Sequence, residues 1–357
     1  MADRFFRGEK LIDREKEINF LVDWFNALPK EILWIYGPKS SGKTTIVEYV
    51  VEKELFEDFD QLKPKKNYWV KYMNLRGYLI TNYNSFLEAF IKPTDKKIKE
   101  KKKINARMSV GIFEIEAEIL KEIKNREKDL FNVMIGEISK LAKHKRVIII
   151  IDEIQTLEDI YINGEKELLK EFLNFCVRLT KELHISHVAI ISSNTVFIDK
   201  IYNDAKLKLT SEFYKVDHLP FEIVYDWLTS EGFKKNDIDM IYYYLGGCIP
   251  LLQKLKRNIG EFKNLKEYLE HQQWLAYTEI MHFMNFSGKV SKEDRKIFED
   301  IASSIVKNGY FIPDSDKYTR VIDTFASAEI LFFDPLSLKV VGNNRLYEKA
   351  MELLVKG

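Results

Sequence analysis

Hydrophobic positions along the first two hundred residues follow two repeating patterns. Short apolar runs at 32–36, 68–74, 147–151 and 187–194 have the length of β-strands, and the run at 147–151 is purely aliphatic. Between them, apolar residues recur every three or four positions, as on one face of a helix. Because strands and helices alternate, and because aliphatic runs suit strands covered on both faces, the pattern predicts an α/β fold with a parallel sheet flanked by helices.

Helices are expected at 15–28, 44–56, 120–143 and 165–182. In the first of these, apolar residues form a single stripe, and Asp13 is available as the N-cap. Pro29 follows directly and is expected to end that helix.

One segment interrupts the alternation of strands and helices. Residues 92–103 contain seven lysines. A solvated loop is the favoured interpretation of this run, and a specific contact with an anion or nucleic acid is the alternative. Residues 108–117 alternate between polar and apolar, which predicts a β-hairpin. We therefore expect an insertion in the first domain over about 92–118.

The second half of the chain has a different pattern. From about 221 to 284 the periodicity is helical only, and further helices are expected near 292–306 and 317–328. Two short apolar runs then follow, joined by Asp334 and Pro335. Helices followed by a short two-stranded hairpin are typical of a winged helix-turn-helix module.

Composition narrows the class of protein but does not identify a partner. The chain has 357 residues and a hydrophobic content of 46%, which suits two or three domains with substantial cores. Its 56 Lys and Arg residues balance 55 Asp and Glu residues, so no overall basic field points to nucleic acid or an anionic membrane. Cys176 and Cys248 are isolated in the sequence, which disfavours a disulfide framework and a zinc site.

The N-terminus and the apolar runs bear on location. The first 17 residues are charged throughout and lack the apolar core of a signal peptide. The apolar runs are strand-sized, too short to cross a bilayer. These features predict a cytoplasmic protein without a membrane partner.

The segment between the first strand and its helix is small, polar and basic. It reads GPKSSGKT and completes the pattern GxxxxGK[ST], with a strand before it and a helix after it. Glycines let backbone N–H groups approach phosphate oxygens, Lys43 would reach the β- and γ-phosphates, and the Thr44 hydroxyl would bind Mg²⁺. A glycine-rich turn arising by chance is the alternative, which the flanking strand and helix disfavour. We predict an ATP or ADP site formed by Gly37, Pro38, Lys39, Ser40, Ser41, Gly42, Lys43, Thr44 and Thr45.

Two acidic residues follow the aliphatic strand in RVIIIIDEIQ, residues 146–155. The carboxyl ends of parallel strands form the edge at which open α/β sheets bind ligands. Asp152 would hold Mg²⁺, and Glu153 would act as general base toward the attacking water. Such a pair alone is often only a solvated strand end, but its combination with the phosphate loop favours the functional interpretation.

The strand at 187–194 ends in Ser192, Ser193 and Asn194. A polar side chain at this position could orient the water that attacks the γ-phosphate, and Asn194 is the preferred candidate over Ser193. A polar turn that merely ends the strand remains a competing interpretation.

Six segments together resemble the archaeal ATPase family, a branch of the STAND division of AAA+-related P-loop proteins. They are LIDREKEINFLVDWF (11–25), the phosphate loop, IIIIDEIQ (148–155), ISSN (191–194), LPFEIVYDWL (219–228) and YLGGCIPLL (244–252). The resemblance implies a P-loop ATPase domain over 1–215, a helical lid over 216–285 and a winged-helix-like domain over 286–357. It further implies nucleotide contacts on the adenine side from Ile12, Asp13 and Arg14, and from the lid motif Gly246, Gly247 and Pro250.

Two departures from the family pattern affect these expectations. Cys248 and Ile249 separate the second glycine from Pro250, where the family usually has one residue, so Pro250 could sit differently. After the third strand the chain reads DAKLKLTSEF, with lysines where family members often carry an arginine. Without an assignable arginine finger, intrinsic turnover is expected to be slow.

Two functions fit these features. The first is an ATP-hydrolysing switch whose nucleotide state controls contacts with a protein partner or a second copy. The second is a DNA-binding initiator that resembles the archaeal origin-recognition proteins and uses its winged helix. Residues 291–357 carry 10 Lys and Arg against 11 Asp and Glu, and the helix at 317–328 offers only Lys317 and Arg320. Because duplex readers are normally basic, charge favours the switch. Arg257 is the only candidate for the lid arginine of an initiator, and a non-hydrolysing nucleotide sensor is a third possibility.

Overall fold

The computed structural model describes residues 5–7, 9–94, 109–110, 113–125, 128–158, 160–162, 166–204 and 207–356. The strands are β1 (Phe5–Phe6), β2 (Glu9–Lys10), β3 (Ile32–Tyr36), β4 (Phe56–Asp58), β5 (Lys63–Pro64), β6 (Tyr68–Asn74), β7 (Ile91–Thr94), β8 (Ser109–Val110), β9 (Phe113–Glu116), β10 (Arg146–Asp152), β11 (Tyr161–Ile162), β12 (Lys166–Glu167), β13 (Ser186–Ser192), β14 (Ser211–Lys215), β15 (Leu331–Asp334) and β16 (Lys339–Gly342).

The helices of the described residues are α1 (Glu15–Asn26), α2 (Lys43–Tyr49), α3 (Tyr83–Phe90), α4 (Ala117–Lys124), α5 (Leu130–Ala142), α6 (Leu168–Val177), α7 (Thr195–Asp204), α8 (Phe221–Ser230), α9 (Lys235–Leu245), α10 (Ile249–Asn258), α11 (Leu265–Phe286), α12 (Lys292–Asn308), α13 (Thr319–Ser327) and α14 (Arg345–Lys356). Wider, π-helical turns at Val50–Leu55 and Arg178–Glu182 continue α2 and α6. Within this part of the chain, no helix combines the length and apolarity needed to span a membrane.

A six-stranded sheet forms the centre of the first domain, in the order β14-β3-β13-β10-β6-β8. The first five strands are parallel, as the sequence predicted, and β8 is antiparallel at the edge. Successive residues of β10 face opposite sides: Ile149 and Ile151 join one apolar cluster, and Ile148 and Ile150 join another. Burial on both faces explains why this strand is continuously aliphatic.

The prediction of a β-hairpin at 108–117 is wrong. Among the described residues, β8 pairs with β6 and β9 pairs in parallel with β7, so the two short strands are not partners of each other. Alternation of polar and apolar residues indicates an extended conformation, but it does not indicate which strand becomes the pairing partner. Burial decides the neighbour here, because Ile115 is only 3% exposed and joins the core on one face of the sheet. Most of the predicted lysine-rich loop, residues 95–103, lies outside the described residues.

Three helix boundaries also differ from the expectations. The single helix expected at 120–143 is two helices, because Asp129 caps α5 by accepting a hydrogen bond from the Asn132 N–H. The helix expected from 165 begins at Leu168, after β12 has paired with β11. Asp13 is not the N-cap of α1; Arg14 occupies that position, and Asp13 has a left-handed φ of 40°.

The helical lid and the C-terminal module share one hydrophobic core. A single apolar cluster contains Leu228 and Ile280 of the lid together with Phe298 and Met351 of the last seventy residues. The final helix, α14, packs against α9 and α11 as well as α12. We call residues 219–356 the C-terminal body, because its two predicted domains are joined by this core.

A short hairpin, β15–β16, follows α13 in the order expected of a winged helix, and Phe311 forms an isolated antiparallel bridge with Val340 beside it. The assignment of this module as a winged helix stays a prediction.

We expect Gly247→Ala to destabilise the protein. Leu219 N–H donates to the Gly247 carbonyl, and a Cβ at Gly247 would overlap the Leu219 backbone. The backbone would have to shift, at a cost of about 1–3 kcal/mol, which thermal unfolding would detect as a lower Tm. Gly260→Ala is the control, because a Cβ there meets nothing within 4 Å. Equal Tm values for the two variants would contradict the prediction.

Candidate nucleotide site

The loop between β3 and α2 has a backbone that only small residues adopt easily. Gly37 and Gly42 have φ values of 148° and 96°, and Ser40 lies in the left-handed region at 62°. A Cβ at Gly37 would overlap the Val216 carbonyl oxygen, so this position requires glycine for space as well as for φ. The loop therefore turns tightly between strand and helix, as a phosphate-binding loop must.

Lys43 is a buried cation inside this loop. Its side chain is 6% exposed, and Nζ donates to the carbonyl oxygens of Gly37 (2.9 Å) and Pro38 (2.8 Å). Burial lowers the pKa of Lys43 to about 8, although Asp152 and Glu153 oppose the shift. A phosphate in the loop would supply a counter-charge, so it would favour the protonated form.

Thr44 and Asp152 meet across the site, although 108 positions separate them. Thr44 Oγ1 donates to Asp152 Oδ2 at 2.8 Å. Asp152 is 2% exposed, and burial raises the pKa of its carboxyl to about 6. In the part of the chain that is described, no group of three or more His, Cys, Asp or Glu residues could hold a metal by itself. One hydroxyl and one carboxylate instead fit Mg²⁺ that is also bound by phosphate oxygens and water.

Glu153 follows Asp152 in a left-handed conformation, with φ of 63°. Each oxygen of its carboxylate accepts a hydrogen bond: Oε1 accepts from Arg76 Nη2 at 2.6 Å, and Oε2 accepts from Gln155 Nε2. Gln155 Oε1 in turn accepts from Ser192 Oγ at 3.2 Å. The network therefore joins the carboxyl ends of three adjacent strands, β6, β10 and β13.

Arg76 and Gln155 are not among the site residues that the sequence motifs predicted. Arg76 comes two residues after β6, and only the pairing of β6 with β10 brings it to Glu153. The order of the strands would have been the one signal for it, and a single sequence does not give that order.

Asn194 lies beside this network, but its side chain also has a local structural role. Its Oδ1 accepts a hydrogen bond from the Phe197 N–H at 3.0 Å, which caps α7. Asn194 lines a cavity of about 170 Å³ together with Arg76, Glu153 and Gln155. Asn194 thus both ends the strand in a polar turn and lies near Glu153, so both interpretations of this residue remain.

A larger cavity of about 480 Å³ adjoins the other end of the loop, at Gly42 and Thr45. Ile12 and Arg14 line one side of it, and Pro250 lines the lid side despite the extra residue before it. Gly246 and Gly247 line a different cavity, next to Asp217, His218 and Leu219. We call residues 216–219, which join the first domain to the C-terminal body, the hinge. Arg257 lines none of the three cavities described here.

Arg14 connects the loop to the hinge rather than pointing freely into the cavity. Its side chain is 6% exposed, and Nη2 donates to the carbonyl oxygens of Ser41 (2.8 Å) and Asp217 (3.0 Å). Nη1 also pairs with Glu17 at 2.8 Å. Arg14 therefore fixes the loop against the segment that leads into the C-terminal body.

Lys39 connects the loop to the C-terminal body itself. Its backbone N–H donates to Asn343 Oδ1 at 2.9 Å, and its Nζ pairs with Glu329 at 2.7 Å. Nearby, Asp334 accepts from Tyr36 OH at 3.3 Å and pairs with Lys215 at 3.3 Å. Glu329 and Asn343 also line the cavity that contains Glu153. The sequence does not reveal these contacts, because all except the Lys215–Asp334 pair join residues about three hundred positions apart.

Comparisons with known proteins identify the family of this chain. A family model described as an ATPase domain predominantly from Archaea matches residues 11–255. An uncharacterized ATP-binding protein of Methanocaldococcus jannaschii is 37% identical over 338 residues, which cover 92% of this chain and 90% of that protein. A second protein of that organism with the same description is 31% identical over 334 residues, covering 92% and 94%.

Among solved structures, the Walker-type ATPase of Pyrococcus abyssi matches with a TM-score of 0.54 at 16% identity, over 99% of both chains. That likeness concerns the fold alone. The family model covers more than half of the chain, and the curated relatives extend over most of it. The chain therefore belongs to the archaeal ATPase family of P-loop proteins.

Proposed function

We propose that the protein is an ATP-binding and Mg²⁺-dependent ATP-hydrolysing switch. In this proposal, the nucleotide state controls how the C-terminal body contacts a protein partner or a second copy of the chain. The observation that carries it is the double contact of Lys39, a phosphate-loop residue, with Asn343 and Glu329 of that body. A loop that binds both phosphate and the C-terminal body can transmit the state of one to the other.

The site contains the groups that hydrolysis needs. Lys43 and the loop N–H groups would hold the β- and γ-phosphates, and Thr44 and Asp152 would hold Mg²⁺, which neutralises phosphate charge when it is bound. Glu153 would take a proton from a water as its oxygen attacks the γ-phosphorus and the bond to the β–γ bridging oxygen breaks. Asn194 is the proposed residue that orients this water. Ile12, Arg14 and Pro250 would bound the nucleoside side.

Arg76 and Gln155 are proposed to restrain this reaction. A general base must present a carboxylate oxygen to the water, yet both oxygens of Glu153 accept hydrogen bonds from protein side chains. Arg76 is 59% exposed, so its side chain can leave without disrupting a core. Slow basal hydrolysis, accelerated when a partner moves Arg76, follows from this arrangement.

Lys39 is the proposed link between phosphate and the C-terminal body. Its ion pair with Glu329 is partly exposed on both sides, and pairs of this kind contribute about 0.2–1 kcal/mol. A γ-phosphate near Lys39 would compete with Glu329 for the ammonium group. Because the lid and the C-terminal module share one core, we expect the body to turn as a unit about residues 216–219 once release at Lys39 also frees Phe332 of β15 from the core of the first domain.

A DNA-binding initiator is the alternative function, and the order of α12, α13 and the β15–β16 hairpin favours it. Two observations oppose it. Residues 291–357 have no excess of basic side chains. The end of α13, the helix expected to enter the DNA groove, faces the first domain, because Ala326 and Ser327 line the Glu153 cavity. Salt-steep binding to duplex DNA that is lost in the double variant Lys317→Glu/Arg320→Glu would favour this alternative.

We expect ATP binding at pH 9 to take up about one proton per site. Lys43 has a pKa of about 8 in the free protein, so it is mostly neutral at pH 9, and the phosphates would restore its charge. Titration calorimetry in two buffers of different ionisation enthalpy measures this uptake. Lys43→Arg should bind without it, because arginine keeps its proton. Equal proton uptake in both proteins would contradict the assignment of Lys43.

We expect Glu153→Gln to retain ATP binding and to lose about 100-fold or more of the turnover, because an amide cannot accept the proton. Arg76→Ala should instead raise basal phosphate release several-fold and have no effect when combined with Glu153→Gln. Glu182→Gln is the control, because Glu182 is exposed and precedes β13, at the amino ends of the strands and away from the site. Turnover of Glu153→Gln at the wild-type rate would exclude Glu153 as the base.

We expect nucleotide to change the distance between the first domain and the C-terminal body. Spin labels can be placed through Glu182→Cys and Ser337→Cys, because the native Cys176 and Cys248 are buried. ATP should broaden or lengthen the distance in the Glu153→Gln background. The double variant Asn343→Ala/Glu329→Gln removes both partners of Lys39, so it should produce the same change without ATP. The control variant Glu261→Gln should not. A distance unaffected by both treatments would contradict the switch.

A further inference from the structure

The N-terminal hairpin β1–β2 covers part of the cavity next to Gly42 and Thr45. Phe6 lines this cavity, is 5% exposed and meets the Tyr49 ring of α2 edge-to-face, with ring centroids 5.8 Å apart. The hairpin is only two residue pairs long, so its own hydrogen bonds contribute little stability. Its position therefore depends on contacts with α2.

Arg7 supplies a second contact with α2. It lies in the turn of the hairpin with a left-handed φ of 52°, and its Nη1 donates to Glu48 Oε2 at 2.7 Å. Its Nε is 3.9 Å from Glu52, and its guanidinium lies over the Phe6 ring, 4.6 Å from the centroid. Arg7 thus ties the turn, the Phe6 ring and α2 together.

Glu48 is fixed for this interaction from its other side. It follows Thr45 by one turn of α2, and its Oε1 accepts from Tyr72 OH at 3.3 Å. Burial raises the pKa of the Glu48 carboxyl, and Arg7 opposes this shift. The carboxylate of Glu48 and the guanidinium of Arg7 both line the cavity.

The cavity has the size and lining of a site for the nucleoside part of a nucleotide. Its volume is about 480 Å³, within the usual range for small-molecule sites. Apolar walls come from the N-terminal segment, α2 and the lid, through Phe6, Leu11, Ile12, Ile46, Ile249 and Pro250. Polar side chains stand between them, from Arg7, Arg14, Ser40, Thr45, Glu48 and Gln253. Apolar walls with polar groups between them suit a flat base.

We propose that the N-terminal hairpin covers the nucleoside of a bound nucleotide and that the Arg7–Glu48 ion pair holds the hairpin in place. We call this arrangement the clamp. This inference rests on the proposed nucleotide site and adds Phe6, Arg7 and Glu48 to it. Arg7 is a positioning residue, since it holds the hairpin and the Phe6 ring over the base. The clamp lies beyond the loop on the nucleoside side, so it should strengthen binding of a nucleoside triphosphate but not of inorganic tripolyphosphate.

Arg7→Ala tests the clamp. The dissociation constant for ATP should rise about fivefold, as expected for loss of one partly exposed ion pair, while that for inorganic tripolyphosphate stays the same. Glu48→Gln should lower the affinity for ATP by a smaller factor and leave the affinity for tripolyphosphate unchanged. Arg7→Lys should bind ATP more tightly than Arg7→Ala does. Lys63→Ala is the matched control, because it removes a comparable exposed ion pair with Glu57 in the β4–β5 hairpin. Both ligands are titrated calorimetrically with Mg²⁺ present.

The outcomes separate the clamp from the nucleotide site. If Arg7→Ala lowers the affinity for both ligands equally, or for neither, the clamp is overturned. If Arg7→Ala does not fold, as judged by its Tm, Glu48→Gln decides by the same comparison. Wild-type protein that binds tripolyphosphate as tightly as ATP would also overturn the clamp and leave the phosphate loop standing. Wild-type protein that binds neither ligand would instead overturn the proposed function.

Discussion

The buried ammonium of Lys43 is the interaction on which the site depends. A cation removed from water is unstable unless polar groups surround it, and here the carbonyl oxygens of Gly37 and Pro38 do so. Those carbonyls can turn inward only because Gly37 and Gly42 adopt φ values that most residues avoid. The loop therefore holds a positive charge in a space suited to phosphate, and the neighbouring contacts are arranged around that space.

Two residues connect this centre to other parts of the protein. Arg14 ties the carbonyl of Ser41 to the hinge at Asp217, and Lys39 reaches Asn343 and Glu329 of the C-terminal body. Polar contacts therefore join the loop, the hinge and the C-terminal body. Phe332 of β15 adds an apolar contact across the same junction, because it belongs to the core cluster of the first domain. The body itself has a continuous apolar core.

Glu153, the proposed general base, is restrained by its neighbours. Glu153 lies in a left-handed conformation, and Arg76 and Gln155 engage both of its oxygens. Strained or restrained residues at active sites are often part of how activity is controlled. The residues that restrain Glu153 and the residues of the C-terminal body that contact Lys39 line the same cavity. In the proposed function, hydrolysis and domain position would therefore influence each other without a distant relay.

The sequence by itself determined the parallel sheet, the phosphate loop and the acidic pair, because each follows from local signals: aliphatic strands, glycine at defined positions, and Asp152 and Glu153 directly after a strand. It did not determine the pairing of β8 and β9, the break between α4 and α5, or the partners of Lys39 and Glu153. Those depend on strand order, on competing caps and on how the C-terminal body docks. Only the tertiary structure decided them, because burial and charge pairing between distant segments leave no periodic trace along one chain.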